Sequence, residues 1–343
     1  MARARVAAAA ALLVAGLAAG QDVSNFVTSP AVGLGPLELR SQSPLNILRL
    51  TPTPRSPVTL AAGQWQLELL TSWNNYFDYD PQYYTIDAET LRFTMNASYG
   101  VTSRLELTAS LPLSYRGGGI MDRFIENFEG LLHVANKDRK LFPRNRYLVL
   151  IHGTNGRTFE LTGEDAGWGI EDATVGARYR LADGTASTPA VTATFVLKIP
   201  TGRSASLYSS GGYDFEAGVS AGQRLGRRFN VYAALGAMHY ARDDMVGVRL
   251  KPNQISLFTG VEYRHSPRMS WLLQALVTSP GAEQFGGFSK NTYEITVGLK
   301  RVLNPNLLLE ASLLENLFIF DNSPDVGFHV GLVWRSNRSR GKG

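Results

Sequence analysis

The sequence has 343 residues, with 34 lysines and arginines against 29 aspartates and glutamates, so its formal charge is +5 at pH 7. It contains no cysteine, which excludes disulfides, cysteine-rich zinc sites and a lipid anchor attached to cysteine. The small positive excess forms no basic stripe with interleaved aromatic residues, so a nucleic-acid partner is not expected.

The chain begins with the features of a secretory signal peptide. Arg3 and Arg5 precede a short apolar stretch that ends in small residues, and we expect cleavage before Gln21. The stretch is too short for a spanning helix, and no other run approaches about 18 uninterrupted apolar residues. Residues 1–20 are therefore predicted to direct export, and any membrane crossing must use strands.

Residues 21–63 predict an irregular N-terminal arm. Prolines at positions 30, 36, 44, 52, 54 and 57 fix φ and remove hydrogen-bond donors, which disfavours a regular ladder. We expect a periplasmic tail; the alternative is a segment tucked into the mouth of a barrel.

Apolar and polar residues alternate in short runs from Gln64 to Trp334, which is the period of strands with two different faces. Leu107 and Leu111, for example, fall on one side of a run, and Glu106 falls on the other. Twelve strands are predicted, at 64–77, 87–99, 103–115, 168–181, 189–199, 213–224, 228–240, 253–264, 269–278, 290–300, 306–316 and 326–335. An even number suits a barrel that starts and ends on the periplasmic side.

The connections between these strands alternate strictly between short and long. Short turns on one side and long loops on the other are typical of outer-membrane barrels. The predicted fold is therefore all-β: an antiparallel transmembrane β-barrel of about twelve strands over residues 64–335, with short periplasmic turns and long extracellular loops. A soluble β-sandwich is the alternative, although it would not require such alternation. Residues 336–343 form a basic tail.

The longest connection, at 116–167, contains apolar residues at helical spacing. A short amphipathic helix is predicted there, lying on the outer leaflet, over the barrel mouth, or against its own loop. Its apolar positions are Met121, Phe124, Ile125, Phe128, Leu131 and Leu132. Tyr147–Ile151 and Thr158–Leu161 predict an extra hairpin above the membrane.

The strand faces opposite the apolar ones carry charged residues, which we predict to face the lumen. They are Glu68, Arg92, Glu106, Asp172, Arg178, Arg180, Lys198, Asp214, Glu216, Arg224, Glu262, Arg264, Glu294, Lys300 and Glu310. The two signs nearly balance, whereas an ion-selective pore should show an excess of one sign. Pairs of long charged side chains in a twelve-stranded lumen favour a narrow or closed pore.

The last strand, Val326–Trp334, alternates apolar residues and closes on an aromatic residue. It resembles the C-terminal signal read by the outer-membrane barrel-assembly machinery, although the basic tail follows it here. The expected partners are thus outer-membrane lipid and that machinery. The solute, if there is one, is not indicated.

Enzymatic and cofactor motifs are not found. Twelve-stranded outer-membrane phospholipases need a serine two residues after a histidine. None of the five histidines has one, although Thr154 follows His152 at that spacing. No dinucleotide, Walker or zinc-protease motif is present, so no catalytic, cofactor or metal residue is assigned. The acidic pairs at 164–165 and 243–244 are interpreted as solvated loops.

Two segments resemble a known group of proteins. Pro36–Leu45 (PLELRSQSPL) and Gly119–Phe128 (GIMDRFIENF) are similar to exported proteins of Gram-negative bacteria that are grouped as a domain of unknown function. The resemblance covers most of the mature chain and implies an envelope location, with no activity to transfer.

The function expected from the sequence is a narrow passive channel or transporter for a small or apolar solute. A closed structural or adhesive barrel that displays its loops is the alternative. An envelope lipid hydrolase is a more distant one.

Overall fold

A closed β-barrel accounts for most of the chain. The computed structural model describes residues 25–27, 29–122, 142–315 and 322–337. Its strands are β1 (Trp65–Asp80), β2 (Tyr84–Gly100), β3 (Leu105–Gly117), β4 (Leu148–His152), β5 (Thr158–Leu161), β6 (Gly167–Ile170), β7 (Ala173–Ala182), β8 (Ala190–Ile199), β9 (Asp214–Leu225), β10 (Phe229–Tyr240), β11 (Asp244–Met245), β12 (Val248–Arg249), β13 (Asn253–Ser266), β14 (Met269–Thr278), β15 (Thr292–Asn304), β16 (Leu307–Glu315) and β17 (Val326–Arg335).

Twelve antiparallel strands form the barrel wall. Each pairs with its neighbour in chain order, and β17 pairs with β1 to close the ring. β6 and β7 count as one wall strand, because both pair with β3 on either side of a break at Glu171 and Asp172. The break faces Pro112 of β3, which has no N–H to donate to the ladder. The predicted twelve-stranded barrel is confirmed.

The two ends of the barrel differ, as the alternating connections predict. Short turns join β2 to β3, β7 to β8, β9 to β10, β13 to β14 and β15 to β16; we call this side the turn end. The long connections lie at the other side, the loop end. At the loop end, β1 continues to Asp80 and β2 begins at Tyr84, so both strands are longer than predicted. The reason is an added hairpin of β4 and β5, whose first strand pairs with β2 at Tyr84–Asp87.

The outer face of the barrel is apolar and exposed. Leu107, Met95, Phe195 and Leu273 are all exposed, whereas Glu106 on the opposite face is buried. A soluble sandwich would bury this apolar set between two sheets, so that alternative is wrong. Aromatic rings pair at the strand ends, such as Trp65 with Tyr99 at 4.6 Å and Phe229 with Tyr263 at 5.3 Å.

Helical structure contributes little to the described residues. Three short 3-10 helices lie in loops, at Gly163–Asp165, Ser204–Ser206 and Gly286–Ser289. Among the described residues there is no helix whose length and apolar content would let it cross a bilayer.

The exposed apolar face predicts a depth-dependent cost for a charge. Leu273→Arg, in the middle of β14, should lower the free energy of unfolding in lipid vesicles by about 2–4 kcal/mol. Leu303→Arg, at the turn end of β15, is the matched control and should cost no more than about 1 kcal/mol. Urea unfolding followed by the gel mobility of unboiled samples measures both. Equal costs at the two positions would contradict a lipid-facing outer wall.

Candidate functional site

The lumen is filled by the N-terminal arm, which rises through the barrel and returns. At the turn end the amide of Asn25 donates to the side chain of Asn337, 3.1 Å away. The arm then ascends to an apex at residues 43–49, where Arg49 donates to the carbonyl of Lys251 at the loop end. It descends again until Gly63 bonds the carbonyl of Gly100 at the turn end. The expectation of a periplasmic tail is therefore wrong. The alternative of a segment tucked into the barrel mouth is closer, but the arm runs the height of the barrel and back.

Acceptor side chains of the wall bind the backbone N–H groups of the arm. Because the arm is irregular and buried, these donors have no ladder to join and must find other acceptors. The donor–acceptor pairs are Leu34 and Gly35 with Glu262 (2.9 and 3.4 Å), Leu37 with Gln274 (3.1 Å), Glu38 with Glu310 (3.2 Å), Gln42 with Glu294 (2.7 Å), Leu50 with Asp214 (2.8 Å) and Leu60 with Glu106 (2.8 Å). The wall thus grips the main chain of the arm along both limbs.

Close approach between arm and wall also depends on small residues. A Cβ on Gly33 would lie 2.3 Å from the carboxylate of Glu262, and one on Gly236 would lie 2.5 Å from the ring of Pro52. A side chain at Gly236 would have to displace Pro52 of the arm, and one at Gly33 would displace the arm or the carboxylate of Glu262 that binds it.

One arginine of the arm bridges several wall carboxylates. Arg55, on the descending limb, lies 2.8 Å from Glu68 and 4.0 Å from Glu106 of the wall, and 3.1 Å from Glu38 of the ascending limb. The same side chain therefore ties the two limbs together and anchors both to β1 and β3.

Twelve of the fifteen charged residues predicted to face the lumen are buried inside the barrel, and three are half-buried near the turn end. The half-buried ones are Arg180, Arg224 and Arg264. The twelve buried ones are Glu68, Arg92, Glu106, Asp172, Arg178, Lys198, Asp214, Glu216, Glu262, Glu294, Lys300 and Glu310. Most of them pair with a charge on a neighbouring strand or with the arm.

Several wall charges bind one another directly. The pairs are Arg178 with Glu106 at 2.8 Å, Lys198 with Asp172 at 2.5 Å and with Asp214 at 3.1 Å, and Lys300 with Glu310 at 3.0 Å. Each buried charge needs such a partner, because desolvation is costly when the charge is left alone.

Sequence reasoning missed several polar residues of this network, among them Glu171, His329, Arg55 and Glu38. Glu171 binds Arg92 at 2.7 Å, and His329 contacts Glu310 at 2.7 Å. His329 falls on the inner phase of β17, so the alternation could have found it. Glu171 lies in the break opposite Pro112, where the strand alternation is interrupted, so a period of two could not identify it. Arg55 and Glu38 lie on the arm, where no period exists.

The predicted loop helix falls mostly outside the described residues: this is so of Phe124, Ile125, Phe128, Leu131 and Leu132. Met121 is described and is buried against Val326 and Trp73. Asp122 accepts from the amide of Asn75, 3.2 Å away. The start of this loop therefore packs on β1 and β17 near the loop end.

An apolar cavity of about 100 Å³ lies above the apex of the arm, and we call it the vestibule. Its apolar lining includes Leu45, Ile47, Leu48, Tyr76, Ile86, Tyr147, Val149, Ile151, Val248, Leu250, Phe285 and Phe288. Burial raises the pKa of Tyr147 to about 12, so its hydroxyl adds no charge to the lining. The vestibule can therefore accept an apolar molecule at the loop end.

Below the vestibule, a polar cavity of about 100 Å³ separates the descending limb from β2, β3, β7 and β8; we call it the chamber. Thr53, Arg55, Arg178 and Glu216 line it, and they also line a third cavity of about 40 Å³ further along the limb. Gln42 lines both the vestibule and the chamber. Each of the three cavities thus shares lining residues with the next; both limbs of the arm line the chamber, and the descending limb lines the third cavity.

Two further possibilities from the sequence are a hydrolase residue after His152 and a metal site. The hydroxyl of Thr154 donates to the carbonyl of Gly247, 3.1 Å away, so it is not oriented by His152. Across the described parts of the chain, no group of three or more histidines and acids is placed to bind a metal ion.

Because wall carboxylates bind the backbone of the arm, replacing one of them by its isosteric amide should weaken the attachment of the arm. Glu262→Gln turns one acceptor into a donor that faces a backbone N–H. An unsatisfied buried group costs about 1–3 kcal/mol, and each 1.4 kcal/mol is about tenfold in an equilibrium. Because the chain has no cysteine, Ser41→Cys reports on the buried arm alone. Its maleimide labelling should become about tenfold faster when Glu262→Gln is added.

Two controls bracket this experiment. Glu160→Gln, an exposed change of the same charge, should leave the Ser41→Cys rate unaltered. Ser187→Cys, in an exposed turn, should label fast in every background. An unchanged rate in the Glu262→Gln protein, with the barrel folded, would mean that Glu262 does not hold the arm.

Comparisons with known proteins identify a family that this chain matches and solved barrels that resemble it. The family model described as a protein of unknown function (DUF3187) matches residues 21–336. None of the curated proteins compared with the chain matches its sequence. A crystal structure of an outer membrane channel from Pseudomonas putida F1 is similar, with TM-score 0.57 and 14% identity over 83% of this chain and 100% of that one.

Two porins resemble the chain more distantly. The NanC porin has TM-score 0.45 and 10% identity over 78% of this chain and 98% of that one. The KdgM porin has TM-score 0.40 and 8% identity over the same shares. The match to the family model spans the barrel and the arm, and the closed barrel with its apolar exterior sits in the outer membrane. The chain therefore belongs to the DUF3187 family of proteins of unknown function.

Proposed function

We propose that the protein is a passive outer-membrane channel for small or apolar solutes, with the arm as its constriction. The observation that carries the proposal is the series of cavities that share lining residues along the arm. They lead from the vestibule through the chamber to Pro52 and Pro54, about the level of Gly236. A solute that follows them meets both the arm and the wall.

The vestibule favours apolar or small solutes at the loop end. Its lining is mostly aliphatic and aromatic, and such surfaces bind apolar molecules without strong directional contacts. The structural neighbour from Pseudomonas putida F1 is itself named an outer membrane channel, which supports the same role here.

Movement of the arm would widen the route. The chain contains no cysteine, so no disulfide ties the arm to the barrel. The arm is held by hydrogen bonds, by the ion pairs of Arg55 and by apolar clusters shared with the wall, such as that of Leu34 with Val302, and each of these can open without breaking a strand pair. The channel needs no catalytic group, and we assign it no enzymatic activity. The last strand, β17, is the segment we propose for recognition by the assembly machinery.

Removal of the arm should open the pore. A variant that lacks residues 26–60 should show single-channel conductance in planar bilayers several-fold above that of the intact protein, because the twelve-stranded lumen is then no longer filled. The matched variant keeps the chain length and replaces residues 30–59 by a glycine–serine linker, and it should conduct at a similarly raised level. Heat-modifiable gel mobility confirms that each barrel is folded.

The outcome separates the two leading functions. If both folded variants and the intact protein fail to conduct, the channel is wrong and a closed structural barrel is favoured. If all three conduct equally, the arm is not the constriction.

A further inference from the structure

The vestibule is not uniformly apolar, because its floor carries a row of polar side chains. Asn74 of β1, Thr90 of β2 and Arg116 of β3 are neighbours in register across three strands. All three line the vestibule, together with Gln42 from the arm. Gln42 already accepts from the amide of Asn74, 2.9 Å away. The cavity therefore has a polar floor at the arm and apolar walls toward the loop end.

Arg116 is the only charged residue among the described residues that line the vestibule. Its side chain is about nine-tenths buried. The guanidinium donates to the carbonyl of Leu207 and lies 4.6 Å from the ring centre of Tyr208. Its Nε atom is buried and has no hydrogen-bond partner among the described residues. These residues thus leave part of the donor capacity of the guanidinium unused at the margin of the apolar cavity.

Among the described residues, the positive charge of Arg116 is incompletely neutralised. The nearest carboxylate in this part of the chain, Glu171, lies 3.5 Å away. That carboxylate already accepts from Arg92 at 2.7 Å and from the hydroxyl of Ser114. Two guanidinium groups thus share one carboxylate, so the floor of the vestibule has a local excess of positive charge.

The neighbouring Arg40 does not add to this excess, because carboxylates surround it. It lines the chamber beneath, where its charge interacts with Glu171, Glu216 and Glu294. Arg116 is therefore the group of the vestibule floor that attracts an anion, whereas the walls above it attract apolar groups.

We propose that the vestibule binds a small monoanion with an apolar body, of the class of short-chain or aromatic carboxylates, with its anionic group on Arg116. The hydroxyl of Thr90, which makes no hydrogen bond within the described residues, is a second donor beside it. The apolar body lies against Val248, Ile151 and Phe288 on the walls. The inference rests on the proposed channel in naming the class of its solute, but it concerns binding and can be tested without conduction.

The test uses the full-length protein in lipid nanodiscs and two probes of equal length. Binding of 6,6,6-trifluorohexanoate and of 6,6,6-trifluorohexan-1-ol is followed by ¹⁹F NMR titration. The carboxylate should bind about tenfold more tightly than the alcohol, as expected for a charge-assisted hydrogen bond. Arg116→Gln should abolish this preference and leave the affinity for the alcohol within about twofold, since the apolar walls are unchanged. Relative to Arg116→Gln, Arg116→Lys should restore part of the preference for the carboxylate. Lysine keeps the positive charge but lacks the planar guanidinium that can donate two parallel hydrogen bonds.

A matched control separates this site from general surface charge. Arg249→Gln removes a positive charge from a largely exposed side chain next to Val248, and it should leave both affinities unaltered. Equal binding of acid and alcohol by the intact protein would overturn the proposal, and so would an unchanged preference in folded Arg116→Gln. Absence of binding alongside normal conductance would refute this inference alone. Selective binding without conductance in any variant would refute the channel and leave the site.

Discussion

Every polar backbone group inside the closed barrel needs a partner, and this requirement organises the lumen. The arm is irregular and rich in proline, so its N–H groups cannot join a ladder. Wall acceptors take them instead: Glu262, Glu294 and Asp214 each accept from the arm main chain. Residues that look like pore-lining charges in the sequence therefore act mainly as anchors for a segment that fills the pore.

The same requirement explains why the buried charges of the wall need not balance: of the twelve predicted lumen charges that are buried, eight are acidic and four are basic. A buried carboxylate is stable only with donors around it, and the barrel supplies them from two sources. Pairs between neighbouring strands, such as Lys300 with Glu310, use lysine or arginine, whereas the arm supplies backbone amides and Arg55. The acidic excess of the wall is therefore met by donors of the arm and is not a measure of ion preference.

The sequence predicts the barrel well because alternation is a local signal. Leu107 and Glu106 are adjacent in the chain, and the pleat alone sends them to opposite faces. The location of the arm is a non-local property, since proline excludes a ladder but does not say what else the segment contacts. Glu171 was missed for a related reason: the break opposite Pro112 shifts its phase, and periodicity fails where a strand is interrupted. Arg116, at the very end of its strand, gave no local sign that loop residues would enclose it.

The path of the arm has a topological consequence. Both limbs of residues 25–63 leave through the turn end, so the arm is a doubled loop and not a thread drawn through a ring. A doubled loop can slide out of a finished cylinder, or into it, with every interstrand bond intact and no chain end having to pass through. Seating of the arm is therefore topologically independent of wall closure, and a closed but empty barrel is a geometrically accessible species.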